Sequence, residues 1–335
     1  MKISILDQSP ISAGTTAGQA LQESMKLAQI GEELGYTRYW IAEHHDISGL
    51  SCSAPEVMLA YIGGKTSHIR LGAGAVLLPH YRPYRIAETY NMLTTLFPER
   101  VDLGIGRAPG GSAEAAIALS NNFLEQVRKM PETFKELSHF LYNDFPSDQM
   151  YSKISASPLP AVPPELWMLG TSEKSAVLAA ENGTAYAFGQ FMVDKSDASI
   201  LKTYSNHFKS RGRLKQPKSI LAVSVVCSET TERAEELALS TQLWNIQHAK
   251  GEGSKGVPSV EEAKQYSFTS YEQDKIDDMR RRMVIGNPQE VKQKLFDLKM
   301  RYQADEIMMI TITHSYEERI ESYRLIANEL LAKHG

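Results

Sequence analysis

The sequence predicts an α/β protein folded as a (β/α)8 (TIM) barrel, with a long insertion before the last βα unit. Three observations carry that prediction. Short apolar runs of strand length alternate with amphipathic stretches of helix length along almost the whole chain. Eight such units follow one another, the number that a closed parallel barrel needs. Several runs also end abruptly in polar or glycine-rich residues, as Tyr39-Trp40-Ile41-Ala42 ends in Glu43-His44-His45. The C-terminal ends of barrel strands are where active sites are built. An open, doubly wound sheet is the rival reading of the same alternation.

Residues 3–6 read as the first strand and 18–34 as the first helix, apolar at Leu21, Met25, Leu27, Ala28 and Leu34 and stopped by Gly35. The second strand covers 39–42, and a helix over 55–65 opens with Pro55 at a favoured first-turn position. The third strand (69–78) is interrupted by glycine and precedes a helix over 83–96. The fourth strand (101–106) leads through a Gly/Pro loop to a helix over 131–142. Strands at 166–169, 185–189 and 220–227 alternate with helices at 172–182, 195–211 and 231–249, and Gly183 ends the first of these. Residues 250–285 are polar, with Gly251, Gly253, Gly256 and Pro258 near the start and Arg280-Arg281-Arg282 near the end. That is too long for an ordinary connection, so it reads as an excursion and a mobile lid. The basic triplet reads as a solvated helix face. A helix at 288–302, an eighth strand at 306–312 and a helix at 316–333 close the chain, giving one barrel domain over residues 1–335.

Composition narrows the function class. A net charge of −4 argues against a nucleic-acid binder, which needs a basic surface. No apolar stretch approaches the ~20 residues of a membrane span, and the N-terminus turns polar too soon for a signal peptide, so a soluble, cytoplasmic protein is expected. Cys52 and Cys227 lie far apart in no metal or redox spacing and read as buried thiols.

Four strand ends carry candidate chemistry. Neighbouring residues on a strand face opposite sides, so His44 and His45 cannot share a pocket, which weakens a metal-binding reading of Glu43-His44-His45-Asp46. One histidine is a candidate acid or base, or else structural. The glycines of Leu71-Gly72-Ala73-Gly74-Ala75-Val76-Leu77-Leu78-Pro79 imply a bulge, the close approach of a flat ligand, or a tight barrel corner. Leu103-Gly104-Ile105-Gly106-Arg107-Ala108-Pro109-Gly110-Gly111 lacks the third glycine of a dinucleotide fingerprint. It does place Arg107 at a strand tip, suited to a phosphate or carboxylate or to a surface ion pair. Leu169-Gly170-Thr171-Ser172-Glu173-Lys174-Ser175 joins a strand to a helix N-terminus with three hydroxyls, an anion site or a simple N-cap.

These stretches together resemble the bacterial luciferase-like flavin-dependent oxidoreductases. The likeness runs through Trp40 to His45, Gly72 to Pro79, Pro83 to Glu88, Arg100 to Arg107, Gly170-Thr171-Ser172 with Leu178-Ala179-Ala180, Gly286-Asn287-Pro288 and Ala304-Asp305-Glu306, nearly the whole chain in order. It implies a barrel that binds reduced FMN at its C-terminal face and, through a flavin C4a-peroxide formed with O2, oxygenates a small organic substrate. His44 falls on the catalytic histidine of the family, and Gly74 and Ala75 on the bulge, often a cis peptide, that supports the isoalloxazine. Arg107, Ser172 and Ser175 fall on phosphate-binding positions, with Gly170 and Thr171 supplying backbone and Arg128 a second phosphate arginine. The resemblance further implies a separate flavin reductase as partner, a homodimer, no metal, and a mobile active-site loop at 250–285. Gly106 stands where the light-emitting subunit has a cysteine, so light emission is not implied. Phe188, Phe191 and Met192 line a pocket or pack in the core. Hydride transfer with a deazaflavin, a non-catalytic flavin-binding protein and a metallohydrolase are the alternatives.

Overall fold

The computed structural model describes residues 1–193 and 197–331. In chain order the elements are β1 (Lys2–Asp7), α1 (Ala17–Glu33), β2 (Arg38–Ile41), α2 (Pro55–Gly63), β3 (Arg70–Leu77), α3 (Pro83–Leu96) and β4 (Val101–Gly106). Then come α4 (Ala113–Leu119), α5 (Phe123–Arg128), α6 (Met130–Tyr142), β5 (Glu165–Gly170), α7 (Glu173–Glu181), β6 (Ala185–Gly189) and α8 (Ser199–His207). The chain finishes with β7 (Ser219–Cys227), α9 (Thr231–Ala249), α10 (Val260–Gln265), α11 (Ser270–Arg282), β8 (Val284–Gly286), α12 (Pro288–Tyr302), β9 (Glu306–Ile310) and α13 (Tyr316–Leu331). Of the expected elements, residues 195–196 of one helix and 332–333 of another lie outside the described residues.

The barrel strands all pair in parallel, in the order β1-β2-β3-β4-β5-β6-β7-β9, and β9 returns to β1. The sheet is closed, which removes the doubly wound alternative and confirms the (β/α)8 barrel. β7 is shared: Ile220 to Ser224 pair with β9, while Val225 to Cys227 pair with the three-residue β8. Gly35 and Gly183 end α1 and α7 as expected, at φ +84° and +60°, where a side chain would be strained.

The two-residue period of each strand divides the core in two. Outward residues such as Ile5, Tyr39, Leu71, Leu103 and Tyr186 join the helices in one large cluster. Inward residues, among them Leu6, Trp40, Trp167, Ala187, Ala222 and Met308, fill the barrel. Two indoles occupy its waist, Trp40 and Trp167, edge to face with centroids 5.4 Å apart. Gly72 exists for that packing: a Cβ there would stand 2.5 Å from the Trp40 ring. Gly104 is crowded likewise, by the backbone oxygen of Ala73 at 2.2 Å. Gly72, read in the sequence as room for a ligand or a corner, is room for a tryptophan.

Below the indoles the strand starts supply a buried ionic floor. Arg38 donates through Nε and Nη2 to the two oxygens of Glu306 (2.8 and 3.1 Å) and through Nη1 to Asp102 (2.7 Å). Asp102 also accepts from Trp40 Nε1 (2.9 Å) and Arg70 Nε (2.9 Å). Burial alone would raise the Asp102 carboxyl, but Arg38 and Arg70 outweigh it and hold it below the usual aspartate range.

The insertion at 250–285, expected as an irregular excursion, is built of α10, α11 and β8. Its start is stitched to the β1–α1 loop, where Val257 exchanges backbone hydrogen bonds with Ile11 and Ala13 at 2.8 Å each, and Val257 is fully buried. Arg280 pairs with Glu235 of α9 at 2.6 Å, and Lys264 with Glu236 at 2.6 Å. Among the described residues no helix is long and apolar enough to cross a membrane.

The floor gives a stability test. Asp102→Asn leaves Arg38 buried without one of its counter-charges, so unfolding by urea is expected to register a loss of about 3 to 5 kcal/mol. A loss below about 1 kcal/mol, the scale of an exposed pair, would show that Arg38 is balanced by Glu306 alone.

Candidate active site

Arg38 and Trp40 of β2, with Ala42 just past its end, face into the barrel. The two histidines that follow differ in their partners. His45 Nε2 lies 2.7 Å from Glu43 Oε1. His44 has its backbone N–H on the carbonyl of Cys52 (2.9 Å), and its ring Nδ1 is buried without a hydrogen-bond partner. Burial, and to a lesser degree the neighbouring His45, push its pKa down to about 4. His44 is therefore a neutral imidazole at pH 7, able to take a proton.

β3 is bulged where the sequence placed its glycines. The register with β4 shifts between Ala73 and Val76, and the Gly74–Ala75 peptide is cis. Gly74 sits over Leu6 and Trp40, which would lie 2.7 and 3.1 Å from an added Cβ. Gly106 on β4 faces Ala75, 3.0 Å from where its Cβ would stand, so a side chain at 106 would crowd Ala75. The β4 loop then doubles back to β2, with the His45 N–H donating to Gly110 O at 2.7 Å. The tips of β2, β3 and β4 thus adjoin, with His44 and Arg107 at one end of the barrel.

The expected helix N-terminus is also present. Ser172 caps α7 in a reciprocal capping box with Ser175. Ser175 is turned inward, its hydroxyl donating to Ser172 O (2.6 Å) and lying 3.0 Å from Tyr186 Oη. Gly170 has to be glycine, since a Cβ would fall 2.2 Å from Ser175 Oγ. Beside α7 opens a cavity of about 630 Å³ lined by Arg107, Arg128, Lys174 and Ser175 with Met168 and Leu178. Arg107 and Arg128 are exposed, and neither has a hydrogen-bond or ion-pair partner among the described residues. The structure thus gathers Arg107, Arg128 and Ser175 around one cavity. His44, Gly74 and Ala75 stand on neighbouring strand tips and do not line it.

A second cavity of about 290 Å³ lies over the other half of the mouth, with Gln8, Phe191, Trp244, Met279, Arg282 and Ile310 in its wall. Of the aromatics named from the sequence, Phe191 lines it. Phe188 does not: it is fully buried on the helix side, its ring 5.9 Å from that of Tyr302. Met192 is exposed. Within the basic triplet Arg280 pairs with Glu235 and Arg281 is exposed, whereas Arg282 turns toward the mouth. Both cysteines are buried free thiols. Among the described residues no group of three His, Cys, Asp or Glu side chains is placed to hold a metal ion. Sequence reasoning missed the partners of Glu43, namely Tyr81 Oη at 2.6 Å and the Leu77 N–H at 3.1 Å. The signal available was the two-residue spacing of Glu43 and His45.

Comparison with known proteins bears on this site. The family model of the luciferase-like monooxygenases matches residues 1–302. Protein YceB of Bacillus subtilis, of uncharacterised activity, is 42% identical over 98% of this chain and 99% of its own. The N-acetyl-S-alkylcysteine monooxygenase of the same organism is 35% identical over 99% of each chain. The crystal structure of apo-MsnO8 superposes with a TM-score of 0.88 at 30% identity, covering 98% of both chains. Two remoter structures share the fold alone: the FMN complex of the oxygenating constituent of 3,6-diketocamphane monooxygenase (TM-score 0.70, 18% identity, 98% and 97% covered) and an F420-dependent secondary alcohol dehydrogenase bound to an F420–acetone adduct (0.70, 12%, 98% of each). With a family model over most of its length and relatives of this identity along its whole length, the chain belongs to the luciferase-like monooxygenase family.

Proposed function

We propose that this member of the family is an FMN-dependent monooxygenase that acts with O2 on a small organic substrate, receiving its flavin already reduced from a separate reductase. One observation carries the reading. A half-buried His44 with a buried, unpartnered Nδ1 and a pKa pushed down to about 4, and a cavity furnished with two unpaired arginines, lie at the same end of one barrel. The residues present fit a flavin phosphate. Arg107 and Arg128 would hold it by charge-assisted hydrogen bonds, and the first turn of α7 would add backbone N–H groups. The bulged Gly74–Ala75 backbone, with little side chain above it, would support a flat ring.

When bound, reduced FMN supplies the electrons and activates oxygen; the protein's part is to place and shield it. His44 would hold or accept a proton at its free ring nitrogen. Met279 and Met283 of the insertion wall the second cavity and would keep water from the mouth. The relative that bears the name N-acetyl-S-alkylcysteine monooxygenase makes small thioethers the first substrates to test.

The reading is tested by loading the protein anaerobically with reduced FMN, mixing with O2 and an N-acetyl-S-alkylcysteine, and analysing the product by mass. One oxygen atom gained per flavin oxidised is expected. Prompt stoichiometric hydrogen peroxide with every substrate offered, or turnover with reduced deazaflavin in the absence of oxygen, would contradict it. Arg107→Ala is expected to weaken FMN about 10- to 100-fold while leaving riboflavin, which lacks the phosphate, unchanged; equal weakening of both would take Arg107 off the phosphate.

His44→Asn should lower turnover about 100-fold or more with FMN affinity retained. It should also change the acid limb of stability. The folded-state pKa of about 4 lies below the ordinary 6.5, so the unfolded chain takes up the proton first. Neutral His44 therefore favours the fold above pH 6.5, and that advantage is lost as pH falls toward 4. The melting temperature of His44→Asn should fall less than that of the unaltered protein across this window. Parallel curves would show that His44 is not buried as a neutral ring.

A further inference from the structure

We propose that Glu43 is a positioning residue for the reaction: its carboxylate staples the β2 tip to the far side of the β3 bulge and so sets where the His44 imidazole stands relative to the Gly74–Ala75 backbone. The inference rests on the function proposed above for its consequence in turnover, but its geometry is independent of any flavin.

The ladder between β2 and β3 stops at Ile41 opposite Ala73, just before the bulge. Past that point the β2 tip has no strand pairing with β3. Glu43 makes the connection instead. It is only 3% exposed, and a carboxylate so buried must be met by donors. Three meet it, from three places. The Leu77 N–H, at the end of β3 beyond the cis peptide, donates to Oε2 at 3.1 Å. Tyr81, after the turn that follows β3, donates to Oε1 at 2.6 Å. His45 Nε2, one residue beyond His44, reaches Oε1 at 2.7 Å, and with two donors already on an anion it must carry the proton. Burial, and then the charge of Glu43, push the Tyr81 hydroxyl well above its usual pKa, which keeps it a donor.

His44 sits between the two stapled residues. Its ring makes no hydrogen bond among the described residues, so no polar partner orients it. That backbone is fixed on each side: the His44 N–H on Cys52 O at 2.9 Å, and the His45 N–H on Gly110 O at 2.7 Å. Gly111 presses so near that an added Cβ would stand 1.8 Å from His45 O. A purely apolar residue at 43 would free Leu77 N–H, Tyr81 and His45 together and let the tip swing.

Glu43→Gln in the full chain tests this. The amide keeps the size but loses one acceptor oxygen and the charge, so at least one of the three donors is released. Two readouts are taken: the His44 imidazole titration followed by NMR in flavin-free protein, and kcat with reduced FMN. We expect the His44 titration to rise from about 4 toward the ordinary value as the tip loosens, and kcat to fall about tenfold or more. Tyr81→Phe, which removes one donor and leaves the carboxylate, should move both in the same direction by less, and it serves if Glu43→Gln does not fold. Ile326→Val in α13, buried far from the mouth, supplies the comparison for a general loss of stability and should move neither readout. A His44 titration that stays with the Ile326→Val protein in both variants would overturn the proposal. A shifted titration in a protein that takes no FMN would uphold the staple and sink the function proposed above.

Discussion

The inward face of β2 is the constraint on which the rest of this molecule depends. Arg38 and Trp40 of β2 and Ala42 just past its end follow one another at a spacing of two, so one stretch of chain supplies the ionic floor and the indole of the waist and leads on to His44. A slip of one residue would turn all three outward and bring Tyr39 and Ile41 into the barrel. The buried charges oppose such a slip, because if Arg38 moves Glu306 loses its arginine and Asp102 keeps only Arg70. Chemistry at the mouth is thus held in register by electrostatics at the floor, two layers of side chains below.

The glycines show the same coupling. Gly72 and Gly104 give the tryptophans and the β3 backbone their room. Trp40 and Trp167 fill the barrel at its waist, which leaves room for a ligand only toward the strand tips. The proposed flat ring would lie across the mouth, where Gly74 and Gly106 carry no side chain.

Much of this was legible in the sequence. Strands buried on both faces read as continuous apolar runs, so the eight barrel strands could be counted, and Gly35, Gly183 and Ser172 marked helix ends by a local requirement that needs no tertiary knowledge. What stayed hidden depended on contacts between distant segments. β8 has three residues, too few for any periodicity, and exists because β7 outruns β9. The side of the sheet that Phe188 takes cannot be read where both sides are apolar. Glu43 looked like one more polar residue at a strand end, and only the fold brings Leu77 and Tyr81 to it. The insertion looked irregular because its order is set by α9 and the β1–α1 loop.

The proposed function requires the tips of β2 to β5 to form one basin with a phosphate site at its edge. A crystal structure of the FMN complex tests this most directly. It is expected to show the phosphate within hydrogen-bond reach of Arg107 and the first turn of α7, with the ring resting on the Gly74–Ala75 backbone and His44 beside it. A phosphate bound away from Arg107, or a ring lying outside the barrel mouth, would contradict it.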